Sequence, residues 1–373
     1  MKRFAQHLKR PAYARCPAVP ASLPPELPDN EGLYKQGARC RVIQRSGPTI
    51  TASSEFQMGF CAAEPLSPAA NMLPGLLLTR SKARKGGAVM SLSNDLGELK
   101  ELDLTQGTIR YRECGDGPPI VFIHGLLVNG DLWRKVVPRL ADRFRCICPD
   151  LPLGSHEIPM KPGADLSIAG IARLVVEFTE SLDLDRATFV ANDTGGAITQ
   201  VLMTEHPQAI GRVVLTSCDC FDNFLPAMFR PLEILAHVPP LLTAVLQPLR
   251  IPALRRLPFA FGWLAKHPID PEFERGYAAQ IFSQRGVRRD CYKVLRDINP
   301  RYTQQAAKKL ELYEPPVLVA WGGDDRFFPV EHGQRIAKLV PDGRFVAIED
   351  SYTFVSEDQP QALAAAIGEF LAV

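Results

Sequence analysis

The sequence predicts an α/β fold with a mostly parallel, eight-stranded sheet, helices on both faces of the sheet and a helical insertion. Three observations support this fold class. Short apolar strand patterns alternate with helix patterns from residue 100 onward, as in a parallel sheet that is covered on both sides. The composition, with 46% hydrophobic and 23% charged residues, is that of a globular protein. Residues 219–309 contain helix patterns and no convincing strand, which predicts an all-helical segment between two strands.

The predicted elements follow one another in a regular order. Residues 102–114 predict a hairpin that turns at Gln106 and Gly107. Six further strands are predicted at residues 120–123, 144–148, 188–191, 213–216, 317–321 and 345–348. Five helices are predicted at residues 132–141, 168–182, 196–205, 331–340 and 362–371. The all-helical segment predicts a cap over the carboxyl-terminal edge of the sheet, where open α/β folds bind ligands. A packing excursion or a dimer contact is the alternative.

Residues 1–89 differ from the rest of the chain in composition and charge. They contain 10 of the 33 prolines and 13 basic against 5 acidic side chains, and no apolar period is sustained there. We predict that residues 1–89 are a disordered or non-native extension; a targeting segment and a translation start at Met90 are the alternatives. The predicted domains that follow are a core of residues 90–218 and 307–373 and a helical cap of residues 219–306.

Composition and charge also argue against several classes of partner. The net charge is +2 for the whole chain but −6 for residues 90–373, which argues against nucleic acid. The most apolar stretch, residues 234–249, contains three prolines and is short for a membrane span. We therefore expect a small-molecule substrate and no membrane partner, and the oligomeric state stays open, a homodimer included.

Cysteine usage and missing motifs bear on location and cofactors. The nine cysteines include no C-x-x-C pair, which makes zinc or a disulfide framework improbable and favours a reducing cytoplasm. The sequence has no metal-spaced His/Cys cluster and neither of the glycine-rich nucleotide motifs. We expect no metal and no cofactor.

The strongest chemical signal is the segment Val-Ala-Asn-Asp-Thr-Gly-Gly at residues 190–196, between a predicted strand and a predicted helix. It resembles the nucleophile elbow G-x-S-x-G of the α/β-hydrolase superfamily, with Asp193 in place of the serine. Small residues must flank so sharp a turn, and Gly195 and Gly196 meet that need. Taken alone, an Asp before a helix is also a common N-cap.

The surrounding segments extend the resemblance. His124 and Gly125 follow the first predicted parallel strand, as in the superfamily loop that supplies half of an oxyanion hole. The resemblance implies that the backbone N–H groups of Leu126 and Thr194 form this hole. It also implies that His124 braces the loop and that Trp133, eight residues after Gly125, belongs to the same pocket.

Two later segments complete the family pattern. Residues 148–155 resemble the superfamily turn D-x-P-G-x-G-x-S, and residues 321–329 resemble the G-x-x-D loop that places Asp325 as the acid of a catalytic triad. The resemblance covers about residues 100–373 and implies the α/β-hydrolase fold. An Asp nucleophile is similar to those of haloalkane dehalogenases, fluoroacetate dehalogenases and epoxide hydrolases. In those enzymes the carboxylate attacks an sp³ carbon, and a His–acid pair then activates water to hydrolyse the ester.

The pattern departs from the family where the catalytic histidine should stand. The family motif D-x-G-H-F corresponds to residues 350–354, where Tyr352 replaces the glycine and Thr353 replaces the histidine. Leu126 and Thr194 stand where dehalogenases have halide-binding Asn and Trp side chains. Candidates for a substitute base or acid, or for an acid that opens an epoxide, are His156, His332, Asp219, Tyr277, Tyr292 and Tyr302.

The sequence thus supports two functional hypotheses. The first is a hydrolase, similar to a haloalkane dehalogenase or an epoxide hydrolase, in which Asp193 is the nucleophile toward a small apolar substrate. A variant of it makes Asp193 a base that abstracts a proton. The second is a degenerate hydrolase-fold protein that binds a ligand or partner without turnover, which the loss of histidine at position 353 favours.

Overall fold

The computed structural model describes residues 93–372, so the predicted extension of residues 1–89 lies outside the described residues. The described chain contains an eight-stranded sheet in the order β1-β2-β4-β3-β5-β6-β7-β8. The pairs β1–β2 and β2–β4 are antiparallel, and the other pairs are parallel. The strands are β1 Glu98–Leu104, β2 Gly107–Cys114, β3 Pro119–Ile123, β4 Arg145–Pro149, β5 Thr188–Asp193, β6 Val213–Cys218, β7 Val317–Gly322 and β8 Gly343–Ile348. The predicted fold class is confirmed.

Helices cover both faces of this sheet, because the central strands bury side chains on both sides. Alternate residues of β3, β5, β6 and β7 belong to two separate clusters of buried apolar side chains. One cluster takes in α1 Ile168–Ser181, α2 Thr194–Glu205 and α9 Val330–Leu339, and the other takes in α11 Pro360–Leu371. The short helix α10 Val355–Asp358 precedes α11.

One predicted helix is wrong. Residues 132–141 form no α-helix but two short 3-10 segments, Gly130–Trp133 and Val137–Arg139. Pro138 explains the difference, because it has no N–H to donate within a helix and sits at the start of the second segment. The remaining predicted strands and helices are present, with ends that differ by a few residues.

The segment between β6 and β7 contains helices and no strand. It comprises α3 Pro231–Leu235, α4 Pro239–Leu246, α5 Pro252–Arg255, α6 Pro271–Ser283, α7 Arg285–Asp297 and α8 Arg301–Ala307. Proline stands in the first turn of α3, α4, α5 and α6, where its missing N–H costs no helix hydrogen bond. None of the helices within residues 93–372 combines the length and apolar character that a membrane crossing requires.

Candidate active site

The turn between β5 and α2 has the sharp geometry that the sequence predicts. Asp193, the last residue of β5, has φ 54° and ψ −132°, a backbone conformation that side chains other than glycine rarely adopt. Directly behind it, Gly196 packs so closely on β6 that a Cβ atom there would overlap the side chain of Cys218. Such strain holds the Asp193 carboxylate out at the end of the strand, clear of an ordinary capping bond to its own helix.

The loop after β3 closes over the Asp193 carboxylate. The backbone N–H groups of Leu126 and Thr194 lie near enough to this carboxylate to lower its pKa. Gly125 must lack a side chain, because a Cβ atom there would overlap Asp193 Oδ2. The two N–H groups that the sequence predicts to form an oxyanion hole thus both lie beside the Asp193 carboxylate.

A second buried carboxylate, Asp219, lies behind this turn. The Thr194 hydroxyl donates to Asp219 Oδ2 over 3.0 Å, while Asp219 Oδ1 is buried without a hydrogen-bond partner. Burial raises the pKa of Asp193 to about 7, and the nearby charge of Asp325 acts in the same direction. Burial, together with the charge of Asp193, raises the pKa of Asp219 well above its usual range. Both effects disfavour the ionised form of Asp219, so this carboxyl group is harder to ionise than an ordinary Asp side chain.

The predicted acid and the residue in place of the histidine are in direct contact. The Thr353 hydroxyl donates to Asp325 Oδ1 over 3.0 Å, and the backbone N–H groups of Phe327 and Phe328 donate to the same oxygen. Burial raises the pKa of Asp325 to about 6. Asp325 Oδ2 is buried and makes no hydrogen bond of ordinary geometry, although the Ser217 hydroxyl is near enough to lower the pKa of this carboxyl. The acid thus keeps one oxygen free.

Asn192 ties these two parts of the site together, and its role was missed in the sequence. Its Nδ2 donates to the Thr353 carbonyl over 2.7 Å and to the Thr216 hydroxyl over 2.9 Å. Its position directly before Asp193 showed that it lies near the site. The sequence does not show that its side chain points along the sheet edge toward β6 and the loop after β8.

A cavity of about 310 Å³ opens above Asp193 between the core and the cap. Of the described residues that line it, Asp193 alone has an ionisable side chain. The other lining residues are apolar and come from the loops Leu126–Leu127 and Phe328 and from cap residues 225–264, including Phe229 and Phe261. The sequence predicted an apolar capped pocket and placed Leu126 in it, but it did not identify the wall residues that the cap supplies, because the cap patterns do not reveal which helix face points inward.

His124 lies where a bracing residue should be. Its Nε2 accepts from the backbone N–H of Leu151 over 2.8 Å, and its Nδ1 lies 2.8 Å from the carbonyl oxygen of Gly125. An N–H at Nδ1 and a lone pair at Nε2 satisfy both contacts, so the ring is neutral. Burial lowers the pKa of His124 to about 4, in agreement with a neutral ring that joins two loops.

Trp133 does not belong to the pocket, which corrects the sequence-based assignment. Its ring is buried in the core and packs against Phe122 with 5.3 Å between ring centroids. It lies at the end of the 3-10 segment Gly130–Trp133, all four residues of which are buried.

The candidate substitute bases lie elsewhere. The Nε2 atom of His156 lies 3.3 Å from Asp290 on α7, and His332 Nδ1 lies 3.6 Å from Cys220 Sγ. Neither histidine lines the Asp193 cavity. The three cap tyrosines are also outside it, and their hydroxyls bind protein groups: Tyr277 binds Glu357 and Arg134, Tyr292 binds Thr243, and Tyr302 binds Asp297.

The described part of the chain contains no group of three or more His, Cys, Asp or Glu side chains arranged to hold a metal ion. Within the described residues, the cavity presents one carboxylate, that of Asp193, among apolar side chains.

The sheet is covered on both faces, and its strand β5 ends in a sharp turn into α2 below the helical cap. This combination defines a hydrolase-type fold. A model of the alpha/beta hydrolase family matches residues 120–366. The chain therefore belongs to the alpha/beta hydrolase family.

Its relatives include enzymes with different reactions. Haloalkane dehalogenase 2 of Mycobacterium tuberculosis is 29% identical over 279 residues, which cover 73% of this chain and 94% of that protein. The 2-hydroxy-6-oxo-6-phenylhexa-2,4-dienoate hydrolase of Burkholderia cepacia is 25% identical over 258 residues, covering 66% and 85%. A solved structure of an α/β-hydrolase-fold protein from Burkholderia ambifaria has a TM-score of 0.63 at 24% identity, covering 74% of this chain and 98% of that one.

Proposed function

We propose that Asp193 is a carboxylate nucleophile that takes an alkyl group from a small apolar substrate, in the manner of a haloalkane dehalogenase. The observation that carries this proposal is the isolation of Asp193. Among the described residues it is the only one with an ionisable side chain that lines the apolar cavity of about 310 Å³, and the backbone N–H groups of Leu126 and Thr194 lie near enough to lower the pKa of its carboxyl group. An apolar wall binds an alkyl chain and excludes the water that would compete for the electrophilic carbon.

The first chemical step needs no group beyond this carboxylate. One Asp193 oxygen forms a bond to the sp³ carbon, the carbon–halogen bond breaks, and the halide leaves with the bonding electron pair. The product is an alkyl ester of Asp193. The Leu126 and Thr194 N–H groups then face the ester carbonyl oxygen, where they would stabilise the oxyanion of a later attack by water.

Few hydrogen-bond donors face the leaving group, and this limits the class of substrates that can react. The residues lining the cavity supply no side-chain N–H or O–H other than that of a protonated Asp193. A small, strongly solvated chloride is costly to release into such surroundings, and an opening epoxide needs an acid to protonate its oxygen. We therefore expect iodides and bromides to react faster than chlorides, and epoxides to react slowest.

Hydrolysis of the ester is the step that the site lacks. Water must lose a proton to a base as it attacks, and Thr353 stands where the family has its histidine. The Thr353 hydroxyl is a hydrogen-bond donor to Asp325 and is not basic at neutral pH. The alkyl-enzyme should therefore accumulate.

Intact-mass measurement after incubation with 1-bromohexane tests the proposal. We expect one hexyl group per chain, located on Asp193 by peptide mapping, and no adduct on Asp193→Asn. Asp222→Asn is the matched control, because Asp222 is an exposed carboxylate that lines no part of this cavity. An adduct that persists in Asp193→Asn, or none on the unmodified chain with bromides and iodides, would overturn the proposal.

The second candidate is ligand binding without chemistry, which Thr353 and the raised pKa of Asp193 favour. A protonated Asp193 would donate a hydrogen bond to a ligand oxygen instead of attacking carbon. Titration calorimetry with 1-hexanol, which has no leaving group, separates the two. Binding of hexanol combined with no adduct from any halide would establish the second candidate in place of the first.

A further inference from the structure

Exposed apolar side chains are concentrated on one part of the cap. Within residues 93–372, nine large apolar side chains are exposed, and seven of them lie between residues 228 and 259. We call these seven the cap patch: Met228, Ile234, Val238, Leu241, Val245, Ile251 and Phe259. Single exposed apolar residues are ordinary on a protein surface, but a concentration of them marks an interaction site.

The sequence supplies no charged side chain for the central part of this surface. Residues 234–249 contain no Asp, Glu, Lys or Arg. Helix α4 buries Leu242 and Leu246 toward the protein and exposes Leu241 and Val245 on its other side. A surface helix normally carries polar side chains on its outer face. This helix is apolar on both faces, so its outer face has no partner among the described residues.

The cap patch borders the candidate active site. Met228, Val245 and Phe259 are each at least 42% exposed, yet each also lines the cavity above Asp193. The cavity therefore opens to the outside through the patch. An apolar compound could therefore enter the cavity and reach Asp193 from a surface that covers the patch.

The charge around the patch indicates which partner fits. Between residues 226 and 262 the chain has four arginines and one acid, Glu233. Arg230, Arg250 and Arg256 are exposed beside the apolar side chains, whereas one Glu233 carboxylate oxygen is buried. A second copy of this chain would bring the same arginines against each other. An anionic lipid surface offers apolar chains for the patch and phosphate groups for the arginines.

We propose that the cap patch docks onto an anionic lipid bilayer, so that apolar substrates pass from the bilayer into the cavity above Asp193. The contact is a surface insertion of short cap helices and not a membrane span. It differs from the sequence-based expectation of no membrane partner. The docking proposal rests on exposure and charge in the cap, so its test does not depend on the chemistry proposed for Asp193.

Vesicle flotation with the full chain tests this docking. Vesicles of phosphatidylcholine and phosphatidylglycerol in equal amounts are compared with vesicles of phosphatidylcholine alone. We expect flotation with the anionic vesicles and weaker flotation with the neutral ones. The double variant Ile234→Glu/Leu241→Glu should lower the fraction bound by at least about tenfold, because it places two charges in the apolar contact.

Leu312→Glu is the matched control, since Leu312 and Ile234 have the same exposure of 73% and Leu312 lies outside the cap patch. It should bind as the unmodified chain does. The basic residues 1–89 are present in every variant, so binding that the double variant retains in full would assign it to that segment and overturn the proposal. The absence of flotation at low salt would also overturn it. So would light scattering that shows the unmodified chain as a dimer and the double variant as a monomer, if vesicles bind neither of the two proteins. Unchanged thermal melting of the double variant verifies that it is folded.

Discussion

The two sides of the candidate site differ in how much of the hydrolase arrangement they retain. At the β5–α2 turn, the strained Asp193 backbone, the two N–H donors and the crowded glycine in the facing loop are all in place. In the loop after β8, the acid Asp325 is present, but it meets the hydroxyl of Thr353 where the family has an imidazole. Under the proposed function, the first side would serve bond formation to carbon, and the second would serve attack by water. That proposal therefore predicts that the alkyl-enzyme forms faster than it is lost.

The largest effect is expected from crowding the retained side. Gly125→Ala would push a methyl group into Asp193 Oδ2 and displace the carboxylate from its donors. We expect the rate of adduct formation to fall by roughly 10²-fold, the cost of misplacing a reacting group by about 1 Å. Time-resolved intact mass with 1-bromohexane measures this rate.

Gly163→Ala is the control for that substitution, because a Cβ atom at Gly163 would meet nothing within 4 Å. Equal rates for the two glycine variants would show that the loop does not position the nucleophile.

The next effect comes from restoring the missing side. Thr353→His combined with Tyr352→Gly should place an imidazole beside Asp325 and speed loss of the alkyl group by about 10², the low end for general base catalysis. The decay of the adduct after removal of free halide reports this rate. Thr353→Gln with Tyr352→Gly is the control, since an amide is similar in size but cannot accept the proton. If both double variants keep the adduct as long as the unmodified chain, the loop alignment is wrong.

The pH dependence of the retained side is a smaller effect with a definite sign. Only the ionised carboxylate is a nucleophile, and the pKa of Asp193 is raised to about 7. Adduct formation should therefore rise about tenfold per pH unit below that value and level off above it, with an apparent pKa that belongs to the coupled carboxylates. Asp325→Asn removes a neighbouring charge and should move the midpoint to lower pH. A flat profile between pH 5 and 8 would contradict a buried carboxylate as the nucleophile.

The smallest effect concerns stability. The pKa of Asp219 is raised in the folded state, so the folded chain holds a proton that the unfolded chain releases above about pH 4. Stability is therefore lost as the pH rises from there toward the folded pKa. Asp219→Asn stays neutral, and we expect it to raise the free energy of unfolding at pH 8 by about 1–3 kcal/mol. At pH 4 the gain should be much smaller. Urea unfolding at both pH values measures the difference, with exposed Asp222→Asn as an unaffected control.

Much of the fold could be predicted because it depends on local patterns. Each parallel strand is an apolar run between turns, and burial on both faces leaves little choice of structure for such runs. The helix predicted for residues 132–141 was wrong because a single proline outweighed an apolar period that suits a helix. The placement of Trp133 in the pocket was also wrong: the resemblance fixed its position after Gly125, but the structure turns its side chain into the core.

Within the candidate site, the sequence by itself determined which groups stand at the strand ends: a carboxylate at position 193, a carboxylate at position 325 and no histidine at position 353. Strand ends of a parallel sheet meet at one edge, so their order along the chain is enough to bring them together. Only the tertiary structure decided that Thr353 binds Asp325, that Asn192 joins the two loops, and that His156 and His332 have partners elsewhere. These contacts depend on side-chain directions across elements distant in sequence. Only the tertiary structure decided which cap residues line the cavity. Apolar side chains of the cap face both the cavity and the exterior, so composition does not separate the two sets.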